Sequence, residues 1–269
     1  MTQRQDQLPQ DVVLQGRGPV APAFAFPVID RLLGMRRSTV LDVRAETPTI
    51  LSVRLERPRG FNYRAGQHAM LRLATDQGPD FRPLSLASAP QAPWLEFATR
   101  IGPSAFKQAF LALRPGHQVK VSRPMGSFGF DPCRPAVMVT GGIGITPVKS
   151  MLTAAVSSGH GAPIRLLCSN RAVEEIPFRP EFEELARAHP DLRITWALQG
   201  PTVGAPSGEV VNGRIDLARL AQQKQELPDA MFYVTGPAAM VQDMREMLRG
   251  IGLANSRIRQ SRQTFPLTR

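Results

Sequence analysis

Between residues 38 and 131, apolar residues occur in short runs that alternate with polar positions, and Gly or Pro separates the runs. The β-rich runs are residues 40–44, 50–55, 70–73, 94–99 and 118–121. Within this region only residues 104–113 follow a helical pattern. Short strands at this spacing, joined by Gly/Pro turns, predict a closed antiparallel β-barrel of about 95 residues.

The pattern changes after Pro135, where longer apolar strands alternate with amphipathic helices. The strands are residues 136–140, 164–168, 192–198 and 231–235, with a weaker fifth at 257–262. The helices are residues 147–157, 180–188, 217–225 and 238–250. This alternation predicts an α/β domain with a five-stranded parallel sheet that is covered on both faces. We therefore expect a β-barrel domain at 38–134, followed by an α/β domain at 135–269.

Residues 1–37 form an N-terminal arm of different composition. Pro9, Pro19, Pro22 and Pro27 interrupt it, so we expect an extended segment and not a helix. Its apolar run is too short and too interrupted for a signal peptide, so we expect a cytoplasmic protein. No window of the chain approaches 18 uncharged apolar residues, so we expect no transmembrane segment.

Composition narrows the chemistry further. The 269 residues are 42% hydrophobic and 20% charged, as in a soluble globular protein. Cys133 and Cys168 are the two cysteines, which excludes a four-cysteine zinc or iron–sulfur site. The four histidines have no ligand spacing among them, so we predict no metal site. The chemistry of this protein therefore needs an organic cofactor or substrate.

Two glycine turns follow predicted strands of the α/β domain and open helices. The first is VTGGIGITP at residues 139–147, and the second is FYVTGPAAM at residues 232–240. Glycine lets the backbone approach a pyrophosphate, and the N–H groups and dipole of a helix start favour anions. One such turn also serves ordinary strand–helix packing. Two turns at the carboxyl ends of parallel strands indicate a dinucleotide site.

Two further motifs lie in the predicted barrel. In FRPLSLAS at residues 81–88, Arg82 can form a fork on a phosphate, and the nearby Ser85 hydroxyl can hydrogen-bond a ring nitrogen. In RPMGSF at residues 123–128, the Gly126-Ser127 pair can offer N–H and hydroxyl donors to a phosphate. Each motif alone also fits a purely structural role.

Together and in this order, the motifs resemble those of the ferredoxin–NADP reductase superfamily of flavoproteins, over residues 38 to 265. Residues 82–85 resemble its Arg-x-Tyr-Ser flavin signature, and the Gly66-Gln67 turn resembles the turn before it. Gly126-Ser127 resembles its second flavin-phosphate turn. Residues 141–147 resemble its nicotinamide-pyrophosphate loop, and residues 235–240 resemble its Cys-Gly-Pro-x-x-Met segment.

The chain departs from the family pattern at two positions. Leu84 replaces the usual aromatic that packs on the isoalloxazine ring, which removes a stacking contact of about 0.5–1.5 kcal/mol. Thr235 replaces the cysteine found beside the nicotinamide in many members, and it keeps a hydrogen-bonding tip of similar size.

The resemblance implies a flavin barrel followed by a nicotinamide-dinucleotide domain, and hydride transfer from NAD(P)H to the flavin. We expect FAD, because Gly126-Ser127 gives a second phosphate site, with FMN as the alternative. The implied catalytic residues are Ser85 and Thr235. The implied flavin contacts are Arg82, Pro83, Leu84, Ser85, Thr99, Gly126, Ser127 and, near the chain end, Phe265. The implied dinucleotide contacts are Gly141, Gly142, Thr146, Asn170, Arg171, Gly236 and Pro237.

The choice between NADH and NADPH depends on residues after the second and third strands of the α/β domain. Ser169-Asn170-Arg171 suits ribose hydroxyls, although Arg171 can equally meet a 2′-phosphate. Gln199-Gly200-Pro201 lacks the Ser-Arg pair that resembles an NADPH reader in relatives. The sequence therefore favours NADH.

The charge is uneven along the chain, and it suggests a partner. The net charge is +11, and nine arginines against three acidic residues lie within residues 31–72. A separate one-electron acceptor is implied, since two cysteines cannot hold an iron–sulfur cluster. We expect an acidic ferredoxin-like iron–sulfur protein or a flavodoxin at this basic region.

Two alternatives remain open. A regulatory or binding subunit could keep the fold without flavin, and the Leu84 departure is the feature that favours this interpretation. The positive charge alone would also suit a nucleic-acid-binding protein. The chain has no recognition-helix, zinc-finger or stacking-aromatic pattern, so we expect no nucleic-acid partner.

Overall fold

In the computed structural model, which describes residues 25–261, the first half of the chain forms an antiparallel barrel. Its elements are α1 (Ala25–Leu33), β1 (Arg36–Thr47), β2 (Ile50–Glu56), β3 (His68–Thr75), β4 (Gly78–Ser85), β5 (Trp94–Arg100), α2 (Ala105–Leu111) and β6 (Gln118–Val121). The strand order is β4-β3-β6-β1-β2-β5. The barrel closes where Ala87 N, just after β4, donates to the Glu96 carbonyl of β5 at 2.8 Å.

Alternation along the strands fills the barrel with apolar side chains. Val53 and Leu55 of β2 and Phe97 of β5 are fully buried there. Phe106 and Phe110 of α2, four residues apart on one helix face, fill one end of the same core. Ser104 caps α2 by accepting a hydrogen bond from Lys107 N. The antiparallel barrel expected from the sequence is confirmed.

The helix α1 corrects the expectation of a wholly extended arm. Pro27 is its third residue, in the first turn, where backbone N–H groups have no acceptor within the helix. Asp30 of α1 accepts from Arg72 and Lys120, so the helix is attached to the barrel by ion pairs. The rest of the arm before residue 25 lies outside the described residues.

The second half is an α/β domain with a wholly parallel sheet. Its elements are β7 (Ala136–Gly141), α3 (Ile145–Ser157), β8 (Ile164–Asn170), α4 (Arg179–Ala188), β9 (Leu192–Leu198), β10 (Glu209–Asn212), α5 (Leu217–Glu226), β11 (Met231–Thr235), α6 (Ala238–Gly250) and β12 (Ile258–Gln260). The strand order is β10-β9-β8-β7-β11-β12. Short 3₁₀ turns at Gly142–Gly144, Val173–Glu175 and Asn255–Arg257 connect some of these elements.

The α/β prediction is confirmed, but the parallel sheet has six strands and not five. The additional strand is β10, which pairs with β9 alone at the edge of the sheet. It has four residues, none of them buried, so it lacks the apolar run that marks the central strands. The predicted strand at 257–262 is shorter, at Ile258–Gln260.

The core continues from one half into the other. Ile50, Ala87 and Ala98 of the barrel half join Met138 and Met151 of the α/β domain in one buried cluster. The opposite face of the parallel sheet packs against α5 and α6 in a separate cluster. Helix α3 therefore lies between the sheet and the barrel. Among the described helices, none is long and apolar enough to cross a membrane.

Candidate functional site

A cavity of about 730 Å³ lies where the barrel meets the end of the parallel sheet, and we call it the barrel cavity. The barrel half contributes Gly66, His68, Ser85, Gly126, Ser127 and Phe128. The α/β domain contributes Arg245, Asn255 and residues 258–261. Its volume is within the range of small-molecule sites, about 300–1,000 Å³.

Backbone pairing holds the barrel side of this cavity in place. His68 at the start of β3 pairs with Met125, through N–H to carbonyl bonds of 3.1 and 2.8 Å in the two directions. The turn then passes so close to the His68 ring that a Cβ on Gly126 would lie 2.8 Å from Nδ1. Gly126 also has a φ of +95°, which favours glycine. Burial lowers the pKa of His68, which favours a neutral ring facing this cavity.

The strand geometry separates the residues of the flavin signature, 82–85, between the barrel cavity and other parts of the barrel. Ser85, the last residue of β4, lines the barrel cavity, whereas Arg82 is not among its lining residues. Arg82 Nη1 lies 2.5 Å from Asp80 Oδ1, and its guanidinium lies 5.8 Å from the Phe106 ring centroid. Leu84 packs against the barrel core, and Pro83 pairs with Met70 of β3. A phosphate at Arg82 would therefore have to displace or share Asp80.

Two cations approach the barrel cavity from the α/β domain. Arg259 Nη1 donates to the Gly129 carbonyl at 2.6 Å, which holds that side chain against the loop after Phe128. Arg245 of α6 is half-buried and makes no ion pair within residues 25–261. The sequence pattern gave no signal for either residue, because basic side chains are common throughout this chain.

A second cavity, of about 540 Å³, lies at the carboxyl ends of the parallel strands, and we call it the sheet cavity. Its lining includes Gly141, Gly142, Ser169, Asn170, Arg171, Gln199, Arg214, Pro237 and Met240. These residues end or follow β7, β8, β9, β10 and β11, and Arg100, which ends β5, also lines the cavity. The sheet cavity therefore occupies the edge where parallel sheets bind ligands.

The two glycine turns of the sheet edge touch each other backbone to backbone. A Cβ on Gly144 would lie 2.5 Å from Gly236 Cα and 2.6 Å from Gly236 N. Any side chain at Gly144 would push the two turns apart. A Cβ on Gly141 would likewise lie 2.5 Å from the Met240 sulfur. The glycines thus serve close packing at this edge, and their approach to a pyrophosphate stays a prediction.

Three buried polar atoms at this edge have no hydrogen-bond partner within residues 25–261. They are Thr140 Oγ1, Thr235 Oγ1 and Asn170 Oδ1, on the neighbouring strands β7, β11 and β8. Buried polar atoms are usually hydrogen-bonded, so three without partners at adjoining strand ends mark this edge as unusual. Asn170 lines the sheet cavity, whereas Thr140 and Thr235 are fully buried behind it. The Asn170 amide donates to Cys168 Sγ at 3.1 Å, and burial raises the pKa of that thiol to about 12.

Arginines supply the positive charge of the sheet cavity. Arg100, at the end of β5, reaches across from the barrel, and a Cβ on Gly142 would lie 3.5 Å from its Nη2. Arg171 and Arg214 are exposed and make no ion pair with any described residue. The sequence analysis missed Arg100, because a basic residue at the end of a barrel strand is not distinctive until the two halves are brought together.

The remaining expected residues fall in three places. Thr146 is buried, and its hydroxyl donates to the Ile143 carbonyl at 3.2 Å, within its own turn. Thr99 is half-buried in β5, next to Arg100. Phe265 lies outside the described residues. Within the described part of the chain, no group of three or more His, Cys, Asp or Glu could hold a metal ion.

Comparison with known proteins gives three results. Residues 138–246 match the family model of the oxidoreductase NAD-binding domain. Ferredoxin–NADP reductase B of Sorangium cellulosum is 33% identical over 216 residues, which are 77% of this chain and 88% of that relative. A flavohemoprotein of Rhodopirellula baltica is 28% identical over 155 residues, and the chain covers only 37% of its length.

A solved structure agrees with the fold. The ferredoxin–NADP⁺ reductase of Neisseria gonorrhoeae, crystallised with bound FAD and NADP, matches with a TM-score of 0.73 at 21% identity. The match covers 86% of this chain and 99% of that chain. Both the barrel and the parallel-sheet domain are therefore shared with that reductase.

Proposed function

The chain belongs to the ferredoxin–NADP reductase family, and from this premise we propose that it transfers hydride from NAD(P)H to FAD and then electrons to a separate acceptor protein. The nicotinamide dinucleotide occupies the sheet cavity, and the flavin ring occupies the barrel cavity. Both volumes, about 540 and 730 Å³, suit organic ligands of this size class.

The observation that carries the proposal is the set of unpartnered polar atoms beside the two touching glycine turns. Thr140, Thr235 and Asn170 give hydroxyl and amide oxygens at adjoining strand ends. A ribose hydroxyl or a carboxamide N–H carries a donor that these oxygens could accept. Arg171 offers charge-assisted bonds to a pyrophosphate in the sheet cavity, and Arg100 would share its charge between that group and Glu175, which lies 3.9 Å away.

The barrel cavity fits a flavin ring. Ser85 lines it and its hydroxyl can bond a ring nitrogen, while the Gly126-Ser127 turn lines the same cavity beside His68. Arg245 and Arg259 put positive charge on its opposite wall, which favours a ring that gains negative charge. When bound, a flavin supplies the ability to accept two electrons as hydride and to release them singly.

The chain itself supplies positioning and exclusion of water. The Gly144–Gly236 contact holds the two turns of the sheet edge together, and the packing of α3 holds the sheet against the barrel. A reaction of this kind needs the reacting atoms about 3–3.5 Å apart, and rigid elements achieve this better than loops. Ser85 orients the acceptor ring, and Thr235 orients the donor ring.

The acceptor is proposed to be an acidic iron–sulfur protein or flavodoxin. Of the nine arginines in residues 31–72, five contact groups within the fold, such as Asp42, Asp30 and the carbonyls near Phe61. The other four make no ion pair or side-chain hydrogen bond with described residues: Arg31, Arg37, Arg59 and Arg64. Exposed arginines of this kind would attract an acidic partner and raise its association rate.

A visible absorption spectrum tests the proposal directly. The purified protein, reconstituted with FAD, should show a flavin band that NADH or NADPH bleaches under anaerobic conditions. No retained flavin after reconstitution would favour the alternative of a flavin-less subunit. Retained flavin that neither dinucleotide reduces would overturn the proposed function itself.

We propose NADH as the preferred donor. Gln199, which lines the sheet cavity, is uncharged and gives no phosphate-binding charge at that strand end. Arg171 and Arg214 are the side chains that a 2′-phosphate would contact instead. Steady-state rates measured with NADH and with NADPH test this preference. A preference for NADPH above about tenfold, equal to about 1.4 kcal/mol, would overturn the choice.

A further inference from the structure

A buried ion pair joins the two halves of the molecule. Lys149 Nζ of α3 donates to Glu96 Oε2 of β5, and the two side chains are 7% and 1% exposed. The other carboxylate oxygen of Glu96 accepts from Arg54 Nε at 2.9 Å. Lys149 Nζ also lies 4.3 Å from the centroid of the Phe178 ring. The ammonium is thus enclosed by groups from both halves.

The two partners belong to the elements that build the sheet cavity. Helix α3 begins at Ile145, directly after the Gly142–Gly144 turn, so Lys149 stands one helical turn beyond the proposed dinucleotide site. Strand β5 ends at Arg100, four residues after Glu96. Because Arg100 approaches Gly142, β5 meets both the turn before α3 and, through Glu96, the helix itself. Two contacts between rigid elements fix an orientation as well as a distance.

The other contacts along α3 are apolar or involve neutral groups. Met151 packs against the Gly66 backbone and the shared apolar core, and apolar contacts of this kind are non-directional. Ser150 Oγ donates to the Ser88 carbonyl at 2.5 Å, which ties the same helix to the segment after β4. The buried charges require close partners, because leaving either one unpaired is costly. The ion pair therefore selects one position of α3 along the barrel.

We propose that Lys149 and Glu96 are positioning residues for hydride transfer. The pair sets where α3, and with it the dinucleotide turn, stands relative to the barrel cavity. This role rests on the proposed function, and it touches neither cofactor. A misplacement of about 1 Å between reacting groups can slow a reaction by about 100-fold.

The first experiment compares wild type with the double variant Lys149→Met/Glu96→Gln. Removing both charges avoids leaving either partner as an unpaired buried ion, and the amide oxygen of the Glu96→Gln side chain can still accept from the partly exposed Arg54, so the double variant is the form expected to fold. Stopped-flow reduction of bound FAD at saturating NADH should slow by about 10- to 100-fold, while flavin content and the NADH dissociation constant change little. The single variant Glu96→Gln should show the same direction of change.

A second readout needs no cofactor. Urea unfolding of flavin-free wild type, both single variants and the double variant gives a double-mutant cycle for the pair. We expect a coupling that stabilises the wild type. We also expect unfolding of the double variant to be less cooperative, because a buried charged link between the halves is lost while the Ser150–Ser88 hydrogen bond remains.

Asp30→Asn is the matched control. It breaks shielded ion pairs to Arg72 and Lys120 that lie entirely within the barrel half. It should lower stability without slowing flavin reduction.

A double variant reduced at the wild-type rate would overturn the positioning role. A flavin-loaded wild type that NADH and NADPH both fail to reduce would overturn the proposed function instead, so the two failures are distinguishable.

Discussion

The sheet cavity and the barrel cavity differ in the chemical groups that form them. The sheet cavity is formed by backbone turns and by polar side chains at the strand ends, among them Asn170, whose Oδ1 has no hydrogen-bond partner within residues 25–261. Near the barrel cavity, the expected phosphate ligand Arg82 is already paired with Asp80. The sheet cavity offers two cations that make no ion pair with described residues, Arg171 and Arg214, while Arg100 there lies 3.9 Å from Glu175 Oε2. Flavin binding at Arg82, by contrast, would exchange a closer internal ion pair for a ligand. Substitutions in the two regions should have different consequences.

The largest effect should come from Gly144→Ala. The added Cβ would meet Gly236 backbone atoms at 2.5 and 2.6 Å, and backbone cannot move aside as a flexible side chain can. The two turns must separate, so NADH affinity should fall by about 100-fold or more, close to 3 kcal/mol. Titration of bound-flavin absorbance with NADH measures it.

The same substitution at Gly161 is the control for this effect. A Cβ at Gly161 would meet no atom within 4 Å, so Gly161→Ala should leave NADH affinity unchanged. Flavin content should stay at the wild-type level in both variants. Unchanged NADH affinity in Gly144→Ala would show that the contact between the turns does not shape the dinucleotide site.

The next largest effect concerns Arg82, which is already paired with Asp80. Arg82→Ala should weaken flavin retention, because a charge-assisted phosphate contact is worth about 1.5–3 kcal/mol, or about 10- to 100-fold in affinity. Asp80→Asn should act in the opposite direction, since it frees Arg82 without removing it. Flavin stoichiometry after gel filtration at low concentration distinguishes the two variants.

If Arg82→Ala retains flavin as wild type does, Arg82 is not the phosphate ligand. If Asp80→Asn loses flavin as strongly as Arg82→Ala does, the Asp80–Arg82 pair supports the strand and not the ligand. The sheet cavity serves as the internal reference, because NADH affinity should be unaltered in both proteins.

The difference between the two cavities also explains how much of the fold and of the site the sequence could predict. Residues 139–147 and 232–240 are local strand–turn–helix motifs, and their spacing alone predicts that they meet at one sheet edge. The β10 strand was missed because it is short and unburied at the sheet edge. Arg100 was missed because its role depends on the contact between two domains, which no local pattern encodes.

Leu84 shows the same limit in the barrel. The sequence motif places it beside the flavin, whereas the strand geometry packs its side chain against the barrel core. The motif is linear, but alternate residues of a strand face opposite sides. The partner of a side chain therefore depends on which side of β4 the cofactor occupies.

A smaller effect is expected on the exposed arginine surface of the barrel half. Arg37→Gln/Arg64→Gln removes two charges that make no ion pair within the described chain. At low salt, the variant should reduce an acidic ferredoxin several-fold more slowly than the wild type does. At 1 M salt, where the Debye length is about 3 Å, the two rates should be equal. Reduction of an uncharged quinone should be unchanged.

Arg187→Gln is the control for this surface, because Arg187 is an exposed residue of α4 in the other half. It should alter neither acceptor. Equal salt slopes for the ferredoxin and the quinone in the wild type would show that the exposed arginines are ordinary solvated surface. The search for the partner would then move to the α/β half.

The smallest effect concerns Glu46 of β1, beside the junction of the two halves. Burial raises the pKa of its carboxyl, the Ser52 hydrogen bond lowers it, and Glu181 and Glu96 raise it further. The charged form is therefore disfavoured in the folded protein relative to the unfolded chain. Glu46→Gln should stabilise the protein at pH 7 by less than about 1 kcal/mol, since the amide oxygen can still accept from Ser52.

The sign of the pH dependence follows from the raised pKa. Above the folded pKa, both states of the wild type are ionised and the folded state bears the cost of the buried charge. As the pH falls through the folded pKa towards the ordinary value of 4.5, Glu46 becomes protonated and that cost disappears. The stability advantage of Glu46→Gln, measured by urea unfolding, should therefore shrink from pH 7 to pH 4.5. The control Glu174→Gln, at an exposed residue, should show no such change with pH. A stability advantage of Glu46→Gln that grows at low pH would mean instead that the Glu46 carboxylate is stabilised at the junction.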